Sequence, residues 1–263
     1  MLEISDLTYR IAGRALFDGA SAFIAAGWKV GLIGKNGTGK TTLLRLIREE
    51  VGKPNASIRL QRGARMGFVA QEVPPVDDGL LDIVLAADEE MTALHAEAET
   101  ATDPQRISDI YMRLADIDAY SAEARASAIL VGLGFSQDDL RRPCREFSGG
   151  WRMRAALAGV LFSAPELLVL DEPTNYLDLE GAAWLEDYLQ RYPHTVVVVS
   201  HDREMLNRSV THVLALDDKK LEIFVGGYDA YLRKRAERMA LATGMKAKQD
   251  AQREHLQAFI DRF

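Results

Sequence analysis

The chain has 263 residues, with 32 Lys and Arg against 39 Asp and Glu, one cysteine and 48% hydrophobic residues; this excludes a disordered chain and describes one large or two small globular domains. Its longest apolar runs, residues 167–170 and 196–199, fall far short of the ~20 residues that a bilayer span needs. A net charge of −7 argues against nucleic-acid binding over the whole surface and leaves room for a local basic segment.

Residues 1–68 alternate short apolar stretches with turn residues and then open one helix, a β, turn, helix order. The start, Met1-Leu2-Glu3-Ile4-Ser5-Asp6, has neither the basic region nor the apolar stretch of a secretory signal, so a cytoplasmic location is expected. Residues 28–33 predict a short strand running straight into Gly34-Lys35-Asn36-Gly37-Thr38-Gly39-Lys40-Thr41-Thr42. Leu43, Leu44, Leu46 and Ile47 then give the following helix an apolar face. Val73-Pro74-Pro75 demands a turn. From about Leu80 to Leu140 the composition shifts to Ala, Glu, Asp and Leu at helical spacing, broken by Asp103-Pro104 and Gly132-Leu133-Gly134. This predicts a largely helical subdomain, about 80–145, inserted into a sheet-based one. Cys144 cannot make an internal disulfide and is expected to be an inert thiol.

Strand patterns return at residues 167–170, 195–199 and 213–216 with helices between them, the pattern of a parallel sheet covered on both faces. Gly226-Gly227 punctuates the chain, and beyond Tyr231 only a charged helical run remains. Residues 233–262 carry eight basic and four acidic side chains, a balance of +4 that leaves −11 for the rest. Leu256, Phe259, Ile260 and Phe263 share one helical face still being built where the chain stops, so the segment reads as cut. Such a helix is either a solvated one with a partner-facing stripe or a direct binder of phosphates.

Gly34-x-x-x-x-Gly39-Lys40-Thr41 between a buried strand and a helix has the spelling and the setting of a phosphate-binding loop. Gly34, Gly37 and Gly39 permit the backbone angles that turn successive N–H groups of the loop, from Asn36 and Thr38 to Thr42, toward an anion at the positive end of the helix. Lys40 adds a charge between β- and γ-phosphates, and the Thr41 hydroxyl can ligate Mg²⁺. A Gly-rich turn of purely structural purpose is the alternative. The second half of the site is Leu167-Leu168-Val169-Leu170-Asp171-Glu172, an apolar strand with acids at its C-terminal end, where open α/β sheets place ligands. Asp171 can hold the Mg²⁺ through water, and Glu172, pointing the other way along the pleat, can orient or deprotonate a water in line with the γ-phosphate. Taken alone, such an acidic pair reads as an exposed turn; the loop upstream inverts that preference.

Phe147-Ser148-Gly149-Gly150-Trp151-Arg152-Met153-Arg154, lying before this acidic strand, resembles the signature motif of ABC ATPases. Gln71 in Val69-Ala70-Gln71-Glu72, Pro173-Thr174-Asn175-Tyr176-Leu177-Asp178 and Ser200-His201-Asp202-Arg203 match the family's Q-, D- and H-loops in order and spacing. The resemblance covers most of residues 1–232 and implies an α/β fold with an ABC-type P-loop NTPase core: a parallel sheet, an N-terminal antiparallel β part and an inserted helical subdomain. It implies ATP with Mg²⁺ as ligands, Gln71 near the metal and the attacking water, and His201 sensing the γ-phosphate. Ser148, Gly149 and Gly150 would contact nucleotide, with Asp178 bridging to a second nucleotide-binding domain. Singly, Gln71 reads as a surface residue and His201 as a satisfied structural group. Tyr9 is the candidate for stacking on adenine, with a core tyrosine as the alternative.

Trp151, Asn175, and Gly226-Gly227-Tyr228-Asp229-Ala230-Tyr231-Leu232 ahead of a charged helix that ends Phe259-Ile260-Asp261-Arg262-Phe263 resemble the ABC-F family. That resemblance implies a domain over residues 1–232, a short arm at 90–125, and the first helix of an interdomain linker over 233–263. It also implies partners in a second ABC domain (in a full-length chain, or a second copy of this one as a homodimer), the ribosome and tRNA, with no membrane subunit. Phe147, Gly159 and Tyr176 depart from the family pattern without removing a phosphate or metal ligand, and the second ABC domain is missing, so slow ATP hydrolysis is expected of the chain alone. A transporter's ATP-binding subunit would share every phosphate-handling residue; a non-hydrolysing assembly module is a third reading.

Overall fold

The computed structural model describes residues 1–69 and 75–260, the far end of the last helix by its backbone alone. β1 (Leu2–Ile11) and β2 (Arg14–Ile24) form a hairpin turned at Ala12-Gly13, both with positive φ. β3 (Lys29–Ile33) feeds the 34–39 loop and α1 (Lys40–Glu50), which is followed by β4 (Ile58–Leu60) and β5 (Met66–Phe68). The helical insertion comprises α2 (Leu80–Ala86), α3 (Glu89–Thr100), α4 (Pro104–Asp116) and α5 (Ala122–Gly132), and α6 (Gly149–Phe162) brings the chain back. Then come β6 (Leu167–Asp171), α7 (Leu179–Arg191), β7 (Thr195–Val199), α8 (Arg203–Arg208), the hairpin β8 (His212–Asp217) and β9 (Lys220–Val225), and the long α9 (Tyr228–Ile260).

Two sheets result. A three-stranded antiparallel one has the order β2-β1-β4, and a six-stranded one has the order β5-β6-β7-β3-β8-β9. Parallel pairing holds from β5 through β8, whereas β9 pairs antiparallel with β8. The expected parallel sheet is therefore present with an antiparallel edge that sequence reasoning missed. The β8–β9 turn uses Asp218 and Lys219, both at positive φ, so the usual glycine signal of a tight hairpin is absent.

Alternation along the strands splits the core. Leu167 and Val169 face the side closed by α1 and the antiparallel sheet, together with Val30, Leu32, Leu43 and Ile47. Leu168 and Leu170 face the other side with Leu161, Leu185 and Met205. Burial on both faces explains why these strands read as continuous apolar runs. In the order β6-β7-β3, the C-terminal ends of three neighbouring strands deliver Asp171-Glu172, Ser200-His201 and the glycine loop to one edge. Among the described residues no helix is long and apolar enough to cross a membrane.

The insertion is held by local chemistry. Asp103 caps α4, with Pro104 at its first position, so the expected break at Asp103-Pro104 is a helix start. Arg106 pairs with Glu97 and Arg113 with Glu90, each at 2.6 Å, across the α3–α4 hairpin. Where α5 meets α7, Gly132 makes the contact: a Cβ there would lie 2.0 Å from Cε2 of Trp184, whose ring stacks on Tyr188. Gly132→Ala gains ~1 kcal/mol of helix propensity, but forcing the indole aside costs up to ~3 kcal/mol. The net expectation is a loss of about 2 kcal/mol in a denaturant titration; an unchanged midpoint at unchanged slope would show that α5 and α7 separate freely.

Candidate functional site

The glycine loop is built as a cradle. Gly37 and Gly39 take φ of 75° and 111°, and Gly39 is the residue at which α1 begins. A Cβ at Gly34 would come within 2.9 Å of the Leu216 carbonyl and Thr38 Oγ1, so the loop closes only with glycine there. The Thr38 hydroxyl donates to the Lys35 carbonyl at 2.8 Å, and Lys40 Nζ donates to the carbonyls of Gly34 at 3.0 Å and Lys35 at 3.4 Å. The ammonium is thus folded over its own loop, while Asn36 and Gly37 are exposed at the tip.

A cleft of about 850 Å³ is lined by Thr41 and Thr42 together with Asp171 and Glu172. Gly34, Lys35, Lys40, Ser200 and His201 line a second cleft of about 310 Å³. Glu172 joins the two sets. It sits in the left-handed region with φ 49°, and its backbone N–H donates to the Val199 carbonyl at 2.9 Å. Its Oε2 accepts from the His201 N–H at 3.2 Å, and its Oε1 lies 3.4 Å from His201 Nε2. That Oε1 is buried and lacks a hydrogen-bond partner among the described residues. A strained residue with an orphaned carboxylate oxygen at a cleft is an arrangement that binding of a water or ligand satisfies.

Among the described residues no cluster of three or more His, Cys, Asp or Glu can cage a metal. The donors present are the Thr41 hydroxyl and the exposed Asp171 carboxylate, which line one cleft. That sparse oxygen set fits Mg²⁺, which takes one or two protein oxygens and completes its shell with phosphate and water. Gln71, the third expected ligand, lies outside the described residues.

Ser148, Gly149 and Gly150 are not among the residues that line either cleft. Ser148 precedes α6 without a side-chain cap bond, and a Cβ at Gly149 or Gly150 would meet nothing within 4 Å. These glycines are therefore not demanded by packing within the chain. Asp178 caps α7 by accepting from the Gly181 N–H at 2.9 Å and pairs with Arg154 at 3.0 Å. The Gly181 bond first, and then Arg154, hold its carboxyl below the usual carboxylate range.

Two residues that sequence reasoning missed emerge here. Ile11, 43% exposed, lines the large cleft with Thr41, Thr42 and Arg45. Tyr9, the expected stacking residue, is partly buried in the core beside β2, and its hydroxyl accepts from Arg45 at 3.1 Å. Three register shifts interrupt the pairing of β1 with β2, and alternation alone does not reveal them. Arg154, which also lines the large cleft, is the second. Cys144 is buried, and burial pushes its thiol up, as an inert cysteine requires.

Known proteins carry the same parts. A family model described as ABC transporter matches residues 17–175, and a second of the same description matches 214–263. The chain is 40% identical over its whole length to the "Probable ATP-binding protein YheS" of Escherichia coli K12, covering 42% of that protein. It is 39% identical, again over its whole length, to the human "ATP-binding cassette sub-family F member 3", covering 38% of it. It thus spans about two fifths of these relatives. A solved "ATP binding subunit of ABC transporter" superposes with a TM-score of 0.61 at 16% identity, covering 89% of this chain and 93% of that one. The "ATP-binding cassette MJ0796", solved as a dimer in a post-hydrolysis state with ADP and Pi, gives 0.60 at 20% identity over 86% and 98%. At these identities the superpositions carry the fold: an α/β ABC ATPase domain with a largely parallel sheet and an antiparallel one. With motifs, fold and relatives in agreement, the chain belongs to the ATP-binding cassette family, on its ABC-F branch.

Proposed function

We infer that the chain is the N-terminal ATP-hydrolysing half of an ABC-F protein, a cytoplasmic switch that closes on a second ABC domain with ATP and acts on the ribosome and its tRNA. The observation that carries this reading is that Thr41, Thr42, Asp171 and Glu172 line one cleft together. Bound Mg²⁺ would supply charge to the β- and γ-phosphate oxygens, held by Thr41, Asp171 and, by family resemblance, Gln71. The loop from Gly34 to Thr42 would hold the phosphates with Lys40, and Glu172 would take the proton of the attacking water. His201, 3.4 Å from Glu172, would orient it toward the γ-phosphate.

Ser148, Gly149 and Gly150 would close over the nucleotide of the other domain, which accords with their absence from the lining of the chain's own clefts; slow turnover of the isolated half follows from this reading. Tyr176 and Leu179, 49% and 86% exposed beside Asp178, give that closure an apolar surface. Tyr9 or, from its place in the cleft, Ile11 would meet adenine.

The basic helix supports a ribosomal partner only through the side chains that it does not spend on the chain itself. Arg235 pairs with Asp217 at 3.2 Å, Arg238 pairs with Glu222, and Lys234 Nζ donates to the Val225 carbonyl. These three residues thus fasten α9 to the sheet, leaving Arg233, Lys246, Lys248, Arg253 and Arg262 as the phosphate-binding candidates in the sequence. Three such contacts lower affinity roughly 40-fold for a fourfold rise in salt. Co-sedimentation with ribosomes at rising salt, with ATP present, is expected to show that slope; recovery with membranes in place of ribosomes would favour a transporter subunit.

A further inference from the structure

Arg154 lies on α6, one turn in from the open Ser148-Gly149-Gly150 start, and its side chain is only 11% exposed. Its guanidinium is engaged on its edges and its face. Nε donates to the Tyr176 carbonyl, and Nη1 donates to the Leu133 carbonyl at 3.2 Å and to Asp178 Oδ2 at 3.0 Å. The guanidinium carbon sits 4.3 Å from the centre of the Trp151 ring, which itself packs at 4.9 Å on Phe135. Room is reserved for it: Gly134 has φ 99°, and a Cβ there would lie 2.9 Å from Nη1. The side chain therefore joins the start of α6, the end of α5 and the turn before α7.

Two of those segments present surface that the chain itself does not use. The glycines at 149 and 150 face open space, and Tyr176 and Leu179 are exposed around the turn. We propose that Arg154 is a positioning residue whose guanidinium fork makes the 148–153 helix start and the 176–178 turn one rigid unit, so that both reach a second domain's nucleotide together. This rests on the proposed function, because only closure of two domains requires both segments to arrive at once. Lysine cannot replace it, since one ammonium cannot donate in plane to Tyr176, Leu133 and Asp178 while stacking on an indole.

The test is hydrogen exchange, read by mass spectrometry, on the 263-residue chain and its R154A and R154K variants, paired with ATP binding and hydrolysis measured with Mg²⁺. Both variants are expected to raise exchange about tenfold within 149–155 and 176–182 while strands 167–170 and 195–199 keep their protection. At chain concentrations where two copies pair, kcat is expected to fall at least about tenfold in both variants. Unchanged exchange at 176–182, wild-type behaviour of R154K, or an unchanged kcat would overturn the proposal. So would an even rise through all strands, which marks a residue that merely stabilises the fold. If the unsubstituted chain binds no ATP, the proposed function falls, and the exchange comparison alone decides the role of Arg154.

Discussion

Glu172→Gln lowers ATP turnover by about 10²- to 10⁴-fold, the range of a lost general base, while ATP affinity stays within about threefold. The substitution keeps the shape of the side chain and its left-handed backbone, and glutamine retains an oxygen to accept from the His201 N–H. What it removes is the basic lone pair at Oε1, the buried oxygen that finds no hydrogen-bond partner among the described residues. It also removes a negative charge from a cleft meant for a triphosphate, so affinity has no reason to fall. Single-turnover phosphate release separates the chemical step from binding. Turnover within threefold of the unsubstituted chain would take Glu172 out of the reaction and leave it as a structural partner of His201. Replacing His201 with Ala is the companion measurement: it deletes the Nε2 contact at 3.4 Å but leaves the backbone N–H bond to Oε2. A smaller loss there than for Glu172→Gln separates orienting from deprotonating.

The parts legible in the sequence are those whose chemistry is contiguous in the chain. The loop from Gly34 to Thr42 carries its strand, its turn and its helix within one short stretch, and β6 and β7 announce themselves because both faces are buried. Hidden features depend on contacts between distant segments. β9 escaped because Asp218 and Lys219 turn the hairpin without glycine, and a strand at an exposed edge alternates too briefly to stand out. Ile11 joins Thr41 and Arg45 in the cleft lining from a strand whose pairing with β2 is irregular, which pattern reading treats as uniform. Arg154 was visible as a letter of the signature, but its three acceptors lie on Leu133, Tyr176 and Asp178, more than twenty positions away on either side. The positive charge of the last helix was countable, yet three of its members proved to bind the chain's own Asp217, Glu222 and Val225.

Lys40→Met separates fold from ligand most sharply. The stem remains, and the loss falls on an ammonium that donates to the Gly34 and Lys35 carbonyls and would turn to the phosphates when nucleotide enters. Without ligand, two backbone carbonyls on a partly exposed loop lose a donor that water can replace, so stability falls by no more than ~1 kcal/mol, a shift in Tm of about 2–4 °C. With ligand, a charge-assisted contact to phosphate is removed, worth about 1.5–3 kcal/mol, and at the upper end of that range ATP affinity falls about 100-fold. Thermal shift reads both numbers from one sample. At a free ATP concentration 100 times the dissociation constant, the unsubstituted chain gains about 2.7 kcal/mol, an upward shift of roughly 5–10 °C. At the same concentration the variant gains only about 0.4 kcal/mol, near 1 °C. Equal ATP-induced shifts in the two chains would mean that the ammonium stays on its loop carbonyls, and that the backbone N–H groups of residues 34–42 hold the phosphates without it.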